Sequence, residues 1–203
     1  MEYVKEYIKT KEDLKNWLAM DAVHYPSQQK GFLKTLKYNL IATPIMDQKY
    51  IWAFVKTLRY SEYHMNNHCL WHTIARTYYL WKLRKLAYKT CIQLAPNAVG
   101  PGLQLVHWGP INVNEKSRIG RNATLYRGVL MGWKGAGQPC PQIGDNAFIG
   151  AGTKIIGDVH IGDNVTIGQN CVVTKDVPSN SLVVAQQPRM IIRDKYYGKY
   201  EKC

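Results

Sequence analysis

His107 is the residue of this chain whose type and setting best suit acid–base chemistry. It lies in the segment GPGLQLVHWGP, residues 100–110, and Gly109 and Pro110 follow it closely. Imidazole exchanges a proton near neutral pH, so a histidine held at a turn can remove the proton of an alcohol. A histidine that merely supports the turn is the competing interpretation.

Three other histidines have a spacing that could suit a metal ion. His64, His68 and His72 are four residues apart, so on one uninterrupted helix they would share a face and two of them could grip a metal. No carboxylate or cysteine completes a ligand set at matching spacing, and Asn66 with Asn67 favours a turn in this segment. Solvated or capping histidines are therefore expected here, and no metal site is predicted.

The five cysteines are odd in number and widely spaced, and they form neither a CxxC site nor a disulfide framework. They are Cys69, Cys91, Cys140, Cys171 and Cys203. Cys140 stands between two prolines with no base assigned to it, so it is expected to be inert rather than nucleophilic. No signal peptide or membrane-spanning apolar run is visible, and a reducing cytoplasm is the expected location.

A six-residue repeat between Ile143 and Val177 provides the framework for these side chains. An aliphatic residue recurs at every sixth position, and a small or β-branched residue follows it four positions later. The first set is Ile143, Ile149, Ile155, Ile161, Ile167 and Val173, and the second is Ala147, Thr153, Val159, Val165, Cys171 and Val177. This period fits neither a helix nor an isolated strand, and it predicts a β-solenoid in which three repeats close one coil of about 18 residues. Glycine and asparagine beside these positions tolerate the positive φ that a corner requires.

The same phase extends towards the N-terminus, and it defines the expected domain at residues 93–191. The earlier inward positions are Val99, Leu105, Ile111, Ile119, Leu125 and Met131. Residues 132–142 lack an inward aliphatic residue, so they are predicted to form an extended loop outside the coil. Residues 192–203 form a polar, basic tail.

Residues 1–92 have a helical composition, with few glycines and many Lys, Tyr, Leu and Trp residues. Thr10 and Asp13 suit the start of a first helix, a second is predicted from Gln48 to about residue 63, and a third from about Leu70 to residue 92. The expected fold is therefore mainly β, a parallel β-helix preceded by an α-helical region.

The chain carries 27 Lys and Arg against 14 Asp and Glu, a formal net charge of +13 that favours acidic partners. In the third predicted helix, basic residues alternate with aromatic ones: Arg76, Lys82, Arg84, Lys85 and Lys89 with Trp71, Tyr78, Tyr79, Trp81 and Tyr88. One interpretation is a surface that contacts an anionic membrane or a lipid-linked acidic glycan at the inner face of the membrane. The other is a packing helix whose long basic side chains cover its own core. Nucleic-acid binding is not expected, because no recognised motif accompanies the charge.

Residues 93–191 resemble the hexapeptide-repeat acyltransferases, and within them the serine acetyltransferase-like branch. The resemblance is carried by GPGLQLVHWG, by the loop GWKGAG with the PQIG that follows it, and by IGAGTKIIGDVHIGDNVTIGQNCVVTKDVP. The preceding helices are similar to those of shorter members found with capsule and exopolysaccharide genes. The resemblance implies a left-handed β-helix, a homotrimer, and acetyl-CoA bound in the groove between neighbouring subunits, with no metal.

The resemblance also implies roles for individual residues. The family's catalytic histidine maps onto His107, which would act as general base so that the acceptor oxygen attacks the thioester of acetyl-CoA. The residues that map onto cofactor contacts are Gly132, Ala151, Lys154, Gly168, Lys175 and Arg189. Trp133, at the tip of the loop, is expected to cap the cofactor or the acceptor, or to contact a neighbouring subunit.

Three departures from the serine-specific pattern guide the expected acceptor. Val106 replaces an aspartate directly before the catalytic histidine, Gln93 replaces the supporting aspartate, and Cys140 replaces a second histidine. These departures favour a hydroxyl of a sugar in cell-surface polysaccharide biosynthesis, with serine as the alternative acceptor and a non-catalytic CoA- or glycan-binding scaffold as a third interpretation. The side chains expected to bind substrate or to orient His107 are Gln93, Asn112 and Asn114. A neighbouring subunit is the alternative source of the group that orients His107.

Overall fold

The computed structural model describes residues 6–25 and 47–186, in which three helices precede thirteen short strands. The predicted cofactor residue Arg189 and the predicted tail at 192–203 lie outside the described residues. No described helix combines the length and apolar content needed to cross a membrane.

In the described part of residues 1–92, three helices lie where the sequence predicts them. They are α1 (Lys11–Ala22), α2 (Gln48–Met65) and α3 (Leu70–Thr90). The first begins with a capping box, in which the Thr10 hydroxyl accepts from the Asp13 N–H and the Asp13 carboxylate accepts from the Thr10 N–H. The last ends at Thr90, and Cys91, with a φ of 57°, turns the chain into the first strand.

The strands are two or three residues long and all their described pairings are parallel. They are β1 (Ile92–Leu94), β2 (Gln104–Leu105), β3 (Ile111–Val113), β4 (Arg118–Ile119), β5 (Thr124–Leu125), β6 (Leu130–Gly132), β7 (Gln142–Ile143), β8 (Phe148–Ile149), β9 (Lys154–Ile156), β10 (His160–Ile161), β11 (Thr166–Ile167), β12 (Val172–Val173) and β13 (Leu182–Val183). The first side of the coil stacks β1-β3-β6-β9-β12, the second β4-β7-β10, and the third β2-β5-β8-β11-β13. The chain therefore winds through five coils of a three-sided parallel solenoid.

The hexad residues fill the interior of this solenoid, as the repeat predicts. Ile143, Ile149 and Ile155 are completely buried, and the other inward positions are nearly so. The four-residue offset positions from Ala147 to Cys171 are buried as well. Residues 133–141, between the end of β6 and the start of β7, contain no strand.

Asparagine forms one corner of the coil. Asn122, Asn146, Asn164 and Asn180 stack in successive coils with φ values of 54° to 61°. Each side-chain amide donates to the next side-chain carbonyl at 2.9–3.0 Å, which satisfies polar groups at a turn where most L-residues are strained.

A buried ionic cluster fastens the helices to the first coil. The Arg59 guanidinium of α2 is fully buried and lies 2.7 Å from the Asp21 carboxylate of α1 and 3.0 Å from Glu62. It also donates to the carbonyls of Val99 and Gly100 at 2.9 and 2.7 Å. Because every buried charge here has a partner, the cluster sets the position of α1 and α2 against the start of the solenoid.

Candidate active site

His107 stands at the corner where the third side of the first coil turns into the first side of the second. The strand β2 ends at Leu105 and β3 begins at Ile111. Gly109 permits this turn with a φ of 134°, and its N–H donates to the Thr90 carbonyl at the end of α3 at 2.8 Å. A Cβ at Gly109 would lie 3.2 Å from the Arg127 side chain on the next coil, so glycine also allows close stacking.

Asp47 orients the His107 ring from the start of α2. Its Oδ2 atom lies 3.2 Å from His107 Nδ1 and accepts a hydrogen bond from the Trp108 N–H at 3.1 Å. A carboxylate only accepts, so the hydrogen bond places the proton of the neutral ring on Nδ1 and leaves Nε2 as the free base. The His107 side chain is 56% exposed and that of Asp47 is 10% exposed. The imidazole is therefore open to solvent, and the carboxylate that orients it is largely buried.

Aromatic side chains border this corner on two sides. The Trp108 ring stacks on Tyr50 of α2 with centroids 6.1 Å apart. Tyr126, one coil further on, lies edge-on to His107 at 6.5 Å and contacts Phe148 of the third coil at 5.3 Å. The imidazole is therefore held between an acidic support and an apolar wall, an arrangement suited to directed proton transfer.

Within one chain, Gln93, Asn112 and Asn114, which were expected to orient His107, make their described contacts elsewhere. Asn112 donates to Gln93 at 2.9 Å on the outer face of the first side, and Asn114 accepts from Cys140 Sγ at 3.3 Å. All three line an open cleft of about 490 Å³ beside α3 that does not include His107. The carboxylate comes instead from a helix start 60 residues earlier in the chain.

The sequence offered one weak signal for Asp47. It stands directly before the predicted helix start at Gln48, where an acidic residue ordinarily caps the helix. In the structure the Asp47 side chain makes no capping hydrogen bond and reaches His107 instead. An acid at this position therefore serves a long-range contact that local sequence patterns do not reveal.

Two of the predicted cofactor residues lie along the His107 corner. Strand register aligns Leu105 with residue 125, residue 125 with Ile149, and Ile149 with residue 167. Ala151 therefore stands two coils from His107, and Gly168 three coils away. At about 4.8 Å per coil, these steps extend roughly 10 and 14 Å from the imidazole.

The other predicted site residues that the structure describes lie on the first side. Gly132 and Trp133 are at its opposite corner, with the Lys116 ammonium 5.8 Å from the Trp133 ring, and Lys175 follows β12 at the same corner. Lys154 lies in β9 and donates to the Gly152 carbonyl at 2.6 Å. Within one chain, the described site residues therefore lie near two different corners, that of His107 and that of Trp133. These corners are separated by the width of the first side.

The histidines with helical spacing do not share a helix. A turn separates His64 at the end of α2 from His72 in α3, and it brings their Nδ1 atoms within 2.8 Å. Among residues 6–25 and 47–186, no three His, Cys, Asp or Glu side chains are grouped in a way that could hold a metal ion.

This architecture is similar to that of hexapeptide-repeat transferases and serine acetyltransferases. Residues 140–175 match the family described as bacterial transferase hexapeptide (six repeats). A serine acetyltransferase of Staphylococcus xylosus is 38% identical over 139 residues, which cover 63% of this chain and 64% of that protein. The soybean serine acetyltransferase apoenzyme has a TM-score of 0.63 at 24% identity, covering 88% of this chain and 69% of its own. A serine acetyltransferase in complex with CoA has a TM-score of 0.62 at 20% identity, covering 89% and 71%.

These matches confirm the hexapeptide-repeat family for residues 140–175 and, from the solved structures, the fold. The chain spans 64% of the length of the Staphylococcus xylosus relative.

The expected sugar acceptor of polysaccharide biosynthesis is wrong, because serine acetyltransferases match this chain at 36–38% identity. That expectation rested on the absent acids at Val106 and Gln93. In the structure Asp47 places a carboxylate next to the imidazole, so the lack of an acid at position 93 does not leave His107 without an acidic neighbour.

Proposed function

Since residues 140–175 belong to the hexapeptide-repeat transferases, we propose that this protein is an acetyl-CoA-dependent serine O-acetyltransferase with His107 as its general base. The observation that carries the proposal is the 3.2 Å contact between Nδ1 of His107 and Oδ2 of Asp47, made by a histidine side chain that is 56% exposed. The similarity to serine acetyltransferases supports serine as the acceptor.

The proposed reaction is a direct transfer without an acyl-enzyme. Nε2 of His107 removes the proton of the serine hydroxyl as the oxygen bonds to the thioester carbonyl carbon. The carbon–sulfur bond then breaks, the sulfur takes the proton from the imidazolium, and O-acetylserine and CoA are released. Asp47 stabilises the imidazolium between these two proton transfers.

The oxyanion of the tetrahedral intermediate needs a hydrogen-bond donor. The two N–H groups that follow His107 do not provide it, because that of Trp108 donates to Asp47 and that of Gly109 donates to Thr90. We place the donor on a neighbouring subunit or on a coil further along the same corner.

Acetyl-CoA is proposed to run along the His107 corner, past Ala151 and Gly168. Small side chains there leave the main chain accessible to an extended ligand. Lys154 and Lys175 are proposed to contact its phosphates through charge-assisted hydrogen bonds, with Arg189 completing the set. Gly132 contributes open space at the far corner, since a Cβ built there has no neighbour within 4 Å.

A homotrimer would bring the two groups of predicted site residues together at the boundary between neighbouring subunits. Rotation about a threefold axis can bring the His107 corner of one subunit against the corner of the next subunit that holds Asn114, Trp133 and Lys175. In this arrangement Gln93, Asn112 and Asn114 are proposed to contact the serine, and Trp133 covers the ligand. The left-handed sense of the coil is part of the same proposal and follows from the family resemblance.

The decisive experiment measures free CoA released from acetyl-CoA with L-serine, D-serine, threonine and simple sugars as acceptors. L-serine is expected to be the preferred acceptor, and His107→Ala is expected to lower kcat by about 10²- to 10⁴-fold. His160→Ala, a histidine on the second side of the coil, is the matched control and should retain activity. A protein that releases no CoA above background would be a binding scaffold and not an enzyme. A CoA-release rate that is unaffected by His107→Ala would show that His107 is not the general base.

A further inference from the structure

One face of α3 is apolar and open to solvent along the whole helix. We call it the α3 outer face, and it consists of Leu70, Trp71, Ile74, Tyr78, Trp81, Lys85 and Tyr88. At 100° per residue these positions fall within an arc of about 100°, which extends over roughly 30 Å of helix. Leu70, Trp71 and Tyr88 are 79%, 69% and 81% exposed.

The opposite face of α3 already makes the contacts that the fold requires. Leu83 is buried in the core that the helices share with the solenoid, and Leu86 packs against it. Tyr79 stacks on Tyr60 of α2 with ring centroids 5.1 Å apart. The apolar residues of the outer face are therefore additional to those that hold the helix in place, and contiguous exposed aromatic residues of this kind mark an interaction surface.

The charged side chains of α3 itself are all basic. Residues 63–114 contain five Lys and Arg and no Asp or Glu. Lys82, Lys85 and Lys89 lie on or beside the outer face, all of them exposed, and the Lys85 ammonium lies 3.8 Å from the centre of the Trp81 ring. Tryptophan and tyrosine bordered by flexible lysines suit the boundary between headgroups and acyl chains, where rings enter the apolar layer and ammonium groups remain with lipid phosphates.

We propose that the α3 outer face binds the surface of an anionic phospholipid bilayer, with the helix lying in the plane of the interface. A second copy of the chain fits this face poorly, because apposing two outer faces would bring six lysines together without a carboxylate from residues 63–114. Anionic headgroups supply the negative charge that the helix lacks, and each basic residue near such a surface contributes about a fivefold gain in partitioning.

Co-sedimentation of the full chain with vesicles tests the proposal. Vesicles of phosphatidylglycerol and phosphatidylcholine should sediment the protein at low salt, and vesicles of phosphatidylcholine alone should sediment it at least tenfold less. The double variant Trp71→Ser/Trp81→Ser and the triple variant Lys82→Gln/Lys85→Gln/Lys89→Gln are each expected to reduce binding at least tenfold. Both change exposed positions, and a native circular-dichroism spectrum shows that the fold is retained.

A matched control separates a specific face from general charge. Lys9→Gln/Lys11→Gln/Lys15→Gln removes three exposed lysines near α1 and gives the same net charge as the α3 triple variant. The control should bind vesicles like the native chain. The proposal is overturned if anionic vesicles fail to sediment the native protein, or if the two triple variants lose binding equally. It is also overturned if the tryptophan variant changes only the oligomeric state in sedimentation velocity and not vesicle binding, since the face would then contact another copy.

Discussion

The Asp47 carboxylate and the His107 imidazole are 60 residues apart in sequence, and 3.2 Å separates Oδ2 from Nδ1. One belongs to the start of a helix and the other to a corner of the solenoid. The helical region is therefore part of the proposed catalytic machinery and not only an attachment to it.

Asp47→Asn tests this pairing. The asparagine amide can present a donor to Nδ1 and favour the wrong tautomer, so kcat is expected to fall by about 10²- to 10⁴-fold with little change in the KM for serine. Nitrogen-15 NMR of the labelled imidazole should show protonated Nδ1 in the native protein and its loss in the variant. Asp176→Asn is the matched control, because Asp176 lies 3.8 Å from His160 on the second side. An equal fall in kcat for both substitutions would contradict the proposed role of Asp47 in orienting His107.

Ala151→Phe tests the proposed path of acetyl-CoA. A phenyl group two coils from His107 would occupy the corner, and the KM for acetyl-CoA is expected to rise by more than about tenfold while the KM for serine stays within about twofold. Initial-rate kinetics with each substrate varied in turn separates these constants. His160→Phe places the same ring on the second side of the coil and should leave both constants unchanged. A rise in the serine constant alone would place the acceptor, and not the cofactor, at this corner.

Arg59→Met tests the cluster that joins the helices to the solenoid. It leaves the carboxylates of Asp21 and Glu62 buried without their cation, so the free energy of unfolding should fall by about 3–5 kcal/mol. Arg121→Met removes an arginine that pairs with Glu6 at the surface and should cost less than about 1 kcal/mol. Urea denaturation followed by circular dichroism compares the two. If both variants lost a similar free energy of unfolding, burial would not account for the contribution of the Arg59 cluster.

The pair of His64 and His72 predicts a loss of stability in mild acid. Burial, and secondarily the neighbouring His72, lowers the pKa of His64 below its ordinary value of 6.5. The unfolded chain therefore binds the proton more readily, so the stabilising contribution is complete above about pH 6.5 and is lost as the pH falls through the lower folded-state pKa. Urea midpoints between pH 8 and pH 5 should show a steeper decline for the native protein than for His64→Gln/His72→Gln. His68→Gln, in the intervening turn, should retain the native slope; a double variant as pH-sensitive as the native chain would contradict the assignment.

Much of the fold followed from local pattern. The six-residue spacing of Ile143, Ile149 and Ile155 identified the solenoid, because an inward side chain is required once per side whatever the rest of the chain does. The helix starts at residues 11, 48 and 70 agree with capping and periodicity signals, which depend on neighbouring residues only. His107 could likewise be assigned as a candidate base from its own segment.

The sequence by itself determined the repeat, its loop, the three helices and the catalytic candidate, since each depends on residues that are close together along the chain. Only the tertiary structure decided that Asp47 supports His107, that Gln93, Asn112 and Asn114 line a different cleft, and that α3 leaves an aromatic face uncovered. Such relationships depend on how a helix docks against a coil through a buried cluster like that of Arg59. The docking depends on many contacts between residues that are distant in sequence, and local sequence patterns do not predict such contacts.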